Sequence, residues 1–481
     1  MARYKSDQRE EYQFLTGSLD MMLPEVSVAR DIAAALEQLD FSPFDQLYKN
    51  DKAGSTAINP RALAGVIMLG LLRGTTSSVQ LARLCECQIE FRWLAGGVSI
   101  EKSTLCDFRK RHLEELLALS NQVLSALGQN GFLPGENLGM DGTIVRAASS
   151  RHSRKKRKHL EKTNGHLEDV LRKKLQEDAN TNDKTVNTLE KRRGRLQKAL
   201  EEMTRRGLNN ADDKLTVTEP DAGFKRQKDG SFAPGYNAQV VSDLDSGIIV
   251  TSEIVDAGND SGQLQPQLEQ AQAALQEATE DAHASSISSV TADGAYHDIR
   301  QMDALETEGI ECYVPEVRNT NRKAPGVAEA YQAQAFTYDA ATDTMRCPQG
   351  QCLRRRKSNA NNTATVYEPH AQTCAACPAK PQCCPNTKGG RNVSRTREHY
   401  QAMLDNVASR LKTDKGIQLK KARSVTCEGI FARLGGLLHW RRNRMWGMMG
   451  AQAELAWRTL THNLFILAGI WEPITMRKAG S

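Results

Sequence analysis

Along the first 130 residues, apolar positions return every three or four places, in "PRALAGVIMLGLL", "SSVQLARLCECQIEFRWLAGG" and "STLCDFRKRHLEELLALSNQVLSAL". This is the period of helices with one buried face. The longest apolar run, Ala62–Leu72, suits a buried helix and falls short of the roughly 18 residues needed to span a bilayer. The third segment opens at Ser103 or Thr104, either of which suits an N-cap, with Asp107 in the first turn and Arg109, Lys110 and Arg111 close behind. A helix pair ending in a basic helix fits a helix-turn-helix-like reader of DNA, and it also fits a purely structural hairpin.

The period changes at "NLGMDGTIVRAAS", where Leu138, Met140 and Ile144 alternate with Asp141, Thr143 and Val145 as in a strand. Asp141 therefore lies within or at the end of that strand, on the face opposite Met140. Helical spacing resumes from Leu160 to about Met203, highly charged, with one stripe at Leu160, Leu167, Leu171 and Leu175. A second stripe runs through Val186, Leu189, Leu196, Leu200 and Met203, and "ANTNDKT" (Ala179–Thr185) separates the two. A hairpin arm or a dimer contact would satisfy both stripes. "PGYNAQVVSDLDSGIIVTSEIVDAGND" then predicts two strands around a turn, followed by a helix over Ser261–Thr279. Short strands follow in "SSISSVTADGAYHD" and "GIECYVPE". The fold class expected is α/β: a mixed sheet preceded by an all-helical domain and interrupted by a helical arm.

Composition fits this reading, with 39% hydrophobic and 25% charged residues in 481 and a length that suits about three domains. "MARYKSDQREEYQFL" has no apolar core of the kind a secretory signal needs, which predicts a cytoplasmic protein with no membrane partner. The net charge is only +6, but it is unevenly spread. "RHSRKKRK" (Arg151–Lys158) holds six basic residues in eight, among them Arg151, Arg154, Lys155, Lys156 and Arg157. "WRRNRMW" sets Arg441, Arg442 and Arg444 between two tryptophans. Such runs suit a polyanion, whose counterions they release, or a solvated face. Eleven cysteines, an odd number, argue against a disulfide framework and for reduced thiols or metal.

Three acids stand out. Asp141 and Asp293 sit at strands that a mixed sheet can bring to one edge, as two ions about 4 Å apart require. The Asp293-Gly294 dipeptide is also an ordinary turn signal. In "SVTCEGIFARLGGLLHW", Val425, Glu428, Phe431 and Leu434 recur at intervals of three, which places Glu428 in a packing stripe of a helix. A buried acid there costs several kcal/mol unless it is paired or metal-bound, and Arg423 is near enough to pair with it.

In the order and spacing of these segments the chain resembles the DDE transposases of bacterial insertion sequences, in the branch with a Tyr/Arg/Glu/Lys signature. The resemblance spans the N-terminal helices, "MDGTIVRAAS", the strand pair, "ADGAYHD" and "CEGIFARLGGLLHWRRNRMWGMMGAQAELAWRTLTHNLFILA". It implies an RNase H-like core in which Asp141, Asp293 and Glu428 ligate two Mg²⁺ (or Mn²⁺) ions for phosphodiester hydrolysis and strand transfer. The implied partner is double-stranded DNA, as terminal inverted repeats and target, bound by a homodimer in the synaptic complex within the nucleoid. Arg423, five residues before Glu428, agrees with the signature. Gly435 stands where the Lys is expected, and Leu419 and Lys420 lie near the place of the Tyr. Tyr296 matches a family Tyr that shapes the site or contacts DNA.

Six cysteines fall between Cys347 and Cys384, where related transposases insert a subdomain. Four thiolates suit tetrahedral Zn²⁺, and the relatives' spacing selects Cys347, Cys374, Cys377 and Cys383, with Cys352, Cys384 and His370 as substitutes. Cys85, Cys87, Cys106, Cys312 and Cys427 are expected to be packing residues. The domains expected are 1–130 (helical, DNA-binding), 131–316 (core, with the arm at 155–215), 317–400 (Cys-rich) and 401–475 (the Glu helix and its partner). Three functions remain open at this point: a transposase, a DNA-binding regulator with an inactive core, and a nuclease without strand transfer.

Overall fold

The computed structural model describes residues 17–47, 57–177, 184–227, 229–278, 287–316, 326–359, 362–387 and 389–474. Most of the predicted arm linker lies outside the described residues. The N-terminal segment forms helices, chiefly α1 (Val28–Glu37), α2 (Pro60–Leu72), α3 (Ser78–Cys87), α4 (Lys102–Arg111) and α5 (Leu113–Gln129). α2 opens on an Asn59 cap with Pro60 at its first position, and ten of its residues are buried. The segment read as one helix from Ser103 breaks at His112, whose backbone leaves the helical region.

β1 (Asn137–Arg146) begins the α/β core. The arm leaves through a two-strand stem, β2 (Arg154–Lys156) with β3 (Lys214–Thr216), and is built from α6 (Arg157–Glu177) and α7 (Lys184–Arg205). Its two apolar stripes close on each other: Leu160, Leu167, Leu196, Ala199, Met203 and Leu215 form a small core of their own. Leu175 is left exposed.

The chain returns through β4 (Gly223–Arg226), β5 (Phe232–Asp243) and β6 (Ile249–Val255). It continues through α8 (Leu264–Ala278), β7 (Ser289–Thr291), α9 (Ile299–Thr307) and β8 (Glu311–Tyr313). β5 pairs antiparallel with both β1 and β6, while β1, β7 and β8 run parallel. β4 also pairs antiparallel with β5, and in this six-stranded sheet the antiparallel β6, β5 and β1 followed by the parallel β7 and β8, reached by helical crossovers, make an RNase H-like core.

A second sheet occupies the Cys-rich stretch. β9 (Thr337–Asp339), β10 (Thr344–Arg346), β11 (Cys352–Ser358), β12 (Ala364–Pro369) and β13 (Val393–Thr396) pair in chain order. They enclose Phe336, Met345, Leu353, Tyr367 and Val393. α10 (Glu398–Arg410), α11 (Asp414–Ala432) and α12 (Gly447–Leu467) complete the chain. α11 crosses β1, β5, β7 and β8. No helix among the described residues is long and apolar enough to cross a membrane.

α12 is buried from Gly450 to Ile466 except at Gln452, and packs against α5 and β6, and against α1, α2 and α4, so it joins the N-terminal helices to the sheet. Two charges lie inside this contact. Glu454 and Arg458 are 0% and 1% exposed and paired at 3.3 Å. Glu454 also accepts from the Arg444 and Met445 amides, and the Arg458 guanidinium donates to the Leu438 carbonyl at 3.1 Å. The pair therefore latches the loop after α11 onto α12. Removing one partner strands the other in the core, so Glu454→Ala should cost about 3–5 kcal/mol in urea unfolding. A loss below about 1 kcal/mol would show that the latch adds nothing.

Candidate active site

Asp141 lies in the middle of β1, and its Oδ1 accepts from the Gly142 amide at 2.9 Å. Asp293 follows β7 and caps a single 3₁₀ turn (Gly294–Tyr296), accepting from the Ala295 amide at 2.8 Å. The parallel register pairs Gly139 with Thr291, so each acid stands two residues beyond the last matched pair. This sets the two acids at the same level where the strands part, near enough for the Asp293 charge to act on Asp141.

Arg423 on α11 faces Asp141, with Nη1 3.6 Å from Oδ2 and both side chains mostly buried. The helix approaches this closely because Gly139 has no side chain: a Cβ there would collide with Leu244 and press on Cys427 Sγ at 3.3 Å. Burial pushes the Asp141 carboxyl up to about 6, against the pull of Arg423 and the Gly142 amide and with a further push from Asp293 and Asp260. Cys427, on the buried side of α11, is pushed up to about 12, chiefly by burial and further by Asp141.

Glu428 departs from the sequence expectation. The buried side of α11 is Leu419, Ala422, Thr426, Cys427 and Ile430, while Val425 and Glu428 are exposed. One residue along a helix turns a side chain by about 100°, so the three-residue spacing selected the wrong face. Glu428 accepts from Ser424 Oγ at 2.9 Å, and Arg423 pairs with Asp141 instead. Among the described residues, no three His, Cys, Asp or Glu side chains are arranged to hold a metal ion. Asp141 and Asp293 offer the hard oxygen donors that Mg²⁺ takes, and the Arg423 guanidinium occupies a cation's place beside them.

The thiols of Cys347, Cys374, Cys377, Cys383 and Cys384 line one cavity of about 30 Å³. Burial raises Cys383 to about 11 and raises Cys374. Cys352 is exposed. Cys85, Cys312 and Cys427 are buried as expected of packing residues, whereas Cys87 and Cys106 are exposed.

The basic residues divide. Arg109, expected at a DNA surface, is buried and donates to the Thr76 carbonyl at 2.7 Å, so it presents no face to a phosphate. Arg154 stacks on Phe224 at 4.2 Å, Lys156 pairs with Asp212 and Arg157 with Glu161. Arg442 donates to the carbonyls of Ala147, Ala148 and Ser149. Arg111 pairs with Asp107 across one turn at the surface, and Arg151, Lys155, Arg441 and Arg444 are exposed. After Glu428 the helix widens into a π-helical turn, Arg433–Leu437, which contains Gly435. Gly435, Gly436, Arg441 and Arg442 line a cleft of about 830 Å³ with Thr143–Arg146 of β1.

Sequence reasoning missed Asp260, Asn237 and Gln239. Asp260 Oδ1 accepts from Asn237 Nδ2 at 2.9 Å and from Gln239 Nε2 at 2.7 Å. The available signal was the alternation of Asn237 and Gln239 with apolar residues on β5: polar groups on a core strand need partners.

An RNase H-like sheet with one acid on β1 and another just past the end of the adjacent parallel strand β7 defines the class. Two family comparisons narrow it. Residues 17–111 match the Transposase domain (DUF772), and residues 346–468 match the Transposase DDE domain, a span that takes in most of the Cys-rich sheet, α11 and α12. Both matched stretches are thus similar to transposase domains, and together they support a DDE transposase of an insertion sequence. Glu428 falls inside the matched ranges, and Asp141 and Asp293 fall between them. No curated protein and no solved structure was found to match the chain.

The raised carboxyl of Asp141 has a measurable consequence. A folded pKa near 6 against 3.8 means that ionisation on raising the pH costs stability. In metal-free buffer Asp141→Asn should therefore stabilise the fold by up to roughly 3 kcal/mol at neutral pH. The gain should be absent below about pH 4, grow between pH 4 and 6, and stay level above. Equal melting temperatures for the two proteins at pH 5 and pH 8 would contradict this.

Proposed function

We propose that this transposase cleaves DNA at the ends of its insertion sequence and joins those ends to target DNA, using divalent metal held by Asp141, Asp293 and Glu428. The observation that carries the reading is that Asp141 on β1 and Asp293 just past β7 stand at the same level of two adjacent parallel strands, with Arg423 against Asp141. Bound Mg²⁺ or Mn²⁺ would supply an activated oxygen nucleophile and offset the charge that builds on the phosphate and the leaving oxygen.

The chain's own residues prepare for this. Arg423 balances the Asp141 carboxylate, and its guanidinium would be free to meet a phosphate if a cation took over that role. Glu428 joins the two aspartates by a rotation of its exposed side chain away from Ser424. The cleft beside Gly435 gives DNA a route along β1, where Arg441 stands exposed. Arg111, Arg151, Lys155 and Arg444 supply further contacts to the duplex. Domains 1–130, 131–316 with the arm 155–215, 317–400 and 401–475 divide the work into end recognition, chemistry and support. Two copies of the chain hold the two DNA ends. Beside the Cys-rich sheet, Cys347, Cys374, Cys377 and Cys383 line one cavity and would hold one structural Zn²⁺ after a local closure of their thiols around it.

The test is excision of a marker flanked by the DNA that borders the gene. Wild type should excise it, while Asp293→Asn and Glu428→Gln should reduce excision by at least a thousandfold and leave DNA binding within about threefold. Excision by either variant at the wild-type rate would refute the assignment. Metal analysis should find about one Zn²⁺ per chain in protein purified without chelator. A metal-free protein that keeps its fold would refute the zinc site.

A further inference from the structure

Asp260 lies between β6 and α8, and its surroundings tie it to both aspartates. Its Oδ1 takes the amides of Asn237 and Gln239, two fully buried residues on the same face of β5. Gln239 sits directly across from Gly142, the neighbour of Asp141. Gly142 leaves no room for a side chain: a Cβ there would collide with Asp260 Oδ1 and come within 2.7 Å of Gln239 Nε2. On its other side, Gln239 accepts through Oε1 from the Tyr296 hydroxyl. The Tyr296 ring is fully buried and closes the turn that Asp293 caps.

The direction of these bonds follows from the chemistry of the carboxylate. An ionised Asp260 only accepts, so the NH₂ end of Gln239 must face it. The carbonyl end then faces Tyr296, whose hydroxyl donates. With an amide in place of Asp260, Gln239 is free to turn over, and the hold on Tyr296 loses its fixed sense. We propose that Asp260 is a positioning residue which, through Gln239 and Tyr296, sets the separation of Asp141 and Asp293. The inference rests on the metal-binding reading of those two acids given above.

Partners behind a ligand that fix its orientation are typically worth about 10–100-fold in metal affinity. The test is Mn²⁺ binding to the full-length protein without DNA, followed by the loss of the free-ion electron paramagnetic resonance signal. Asp260→Asn should weaken binding about tenfold. Tyr296→Phe changes no charge and should weaken it by a similar factor, and the double variant should be no weaker than either alone.

Wild-type affinity in Tyr296→Phe, whatever Asp260→Asn does, would mean that Asp260 does not act through Tyr296 and would overturn the positioning role. Multiplied effects in the double variant would overturn it as well. If Asp260→Asn fails to fold by circular dichroism, Gln239→Glu takes its place: it puts two acceptors face to face and should weaken Mn²⁺ binding at least as much. Asp293→Asn separates the two claims. Mn²⁺ binding equal in wild type and Asp293→Asn defeats the metal-binding reading itself, and the relay falls with it. Loss of binding in Asp293→Asn with wild-type binding in Tyr296→Phe defeats the relay alone.

Discussion

Parallel pairing between β1 and β7 over only three residue pairs is the constraint on which the site depends. It fixes Asp141 and Asp293 at matching heights on neighbouring strands, and everything around them accommodates that placement. β5 holds β1 from the other side through nine paired positions, so β1 cannot slip; a one-residue slip would turn Asp141 to the opposite face. Two glycines on β1 then admit the neighbours. Gly139 lets α11 settle close enough for Arg423 to reach Asp141, and Gly142 lets Asp260 press against the strand.

Buried charge recurs at the points where separate parts of the chain meet. Glu454 and Arg458 sit in the contact between α12 and the loop that follows α11. Asp141 and Arg423 sit in the contact between the sheet and α11. An ion pair taken out of water repays its desolvation only when hydrogen bonds complete it. The first pair has those bonds: backbone amides on Glu454 and a carbonyl on Arg458. The second is less complete, and burial holds the Asp141 carboxyl well above its ordinary range despite Arg423. A site left electrostatically unsatisfied by its own protein is one that gains from an added cation.

Much of the architecture could be read from periodicity. The buried helix at Pro60–Leu72, the strand with Asp141, the hairpin arm and the β5–β6 pair each have a local pattern matching the observed element. The failures are of two kinds. Three-residue spacing puts Glu428 on the wrong face because it fits two neighbouring faces of a helix, and only the packing partners choose between them. Arg109 looks like a surface charge in the sequence, which shows charge but not depth; the Thr76 carbonyl, thirty-three positions away, accepts its hydrogen bond. Asp260 was invisible for the same reason, since its partners on β5 and in the Asp293 turn are brought to it only by the sheet.

The central claim is that metal sits among Asp141, Asp293 and Glu428. The most direct measurement is affinity cleavage with Fe²⁺, which takes a Mg²⁺ site and, with ascorbate and peroxide, cuts the backbone beside it. The account predicts cuts next to Asp141, next to Asp293 and on α11 near Glu428, suppressed by excess Mg²⁺ and absent in Asp293→Asn. Cuts confined to the Cys-rich sheet, or cuts that Mg²⁺ leaves unchanged, would contradict it.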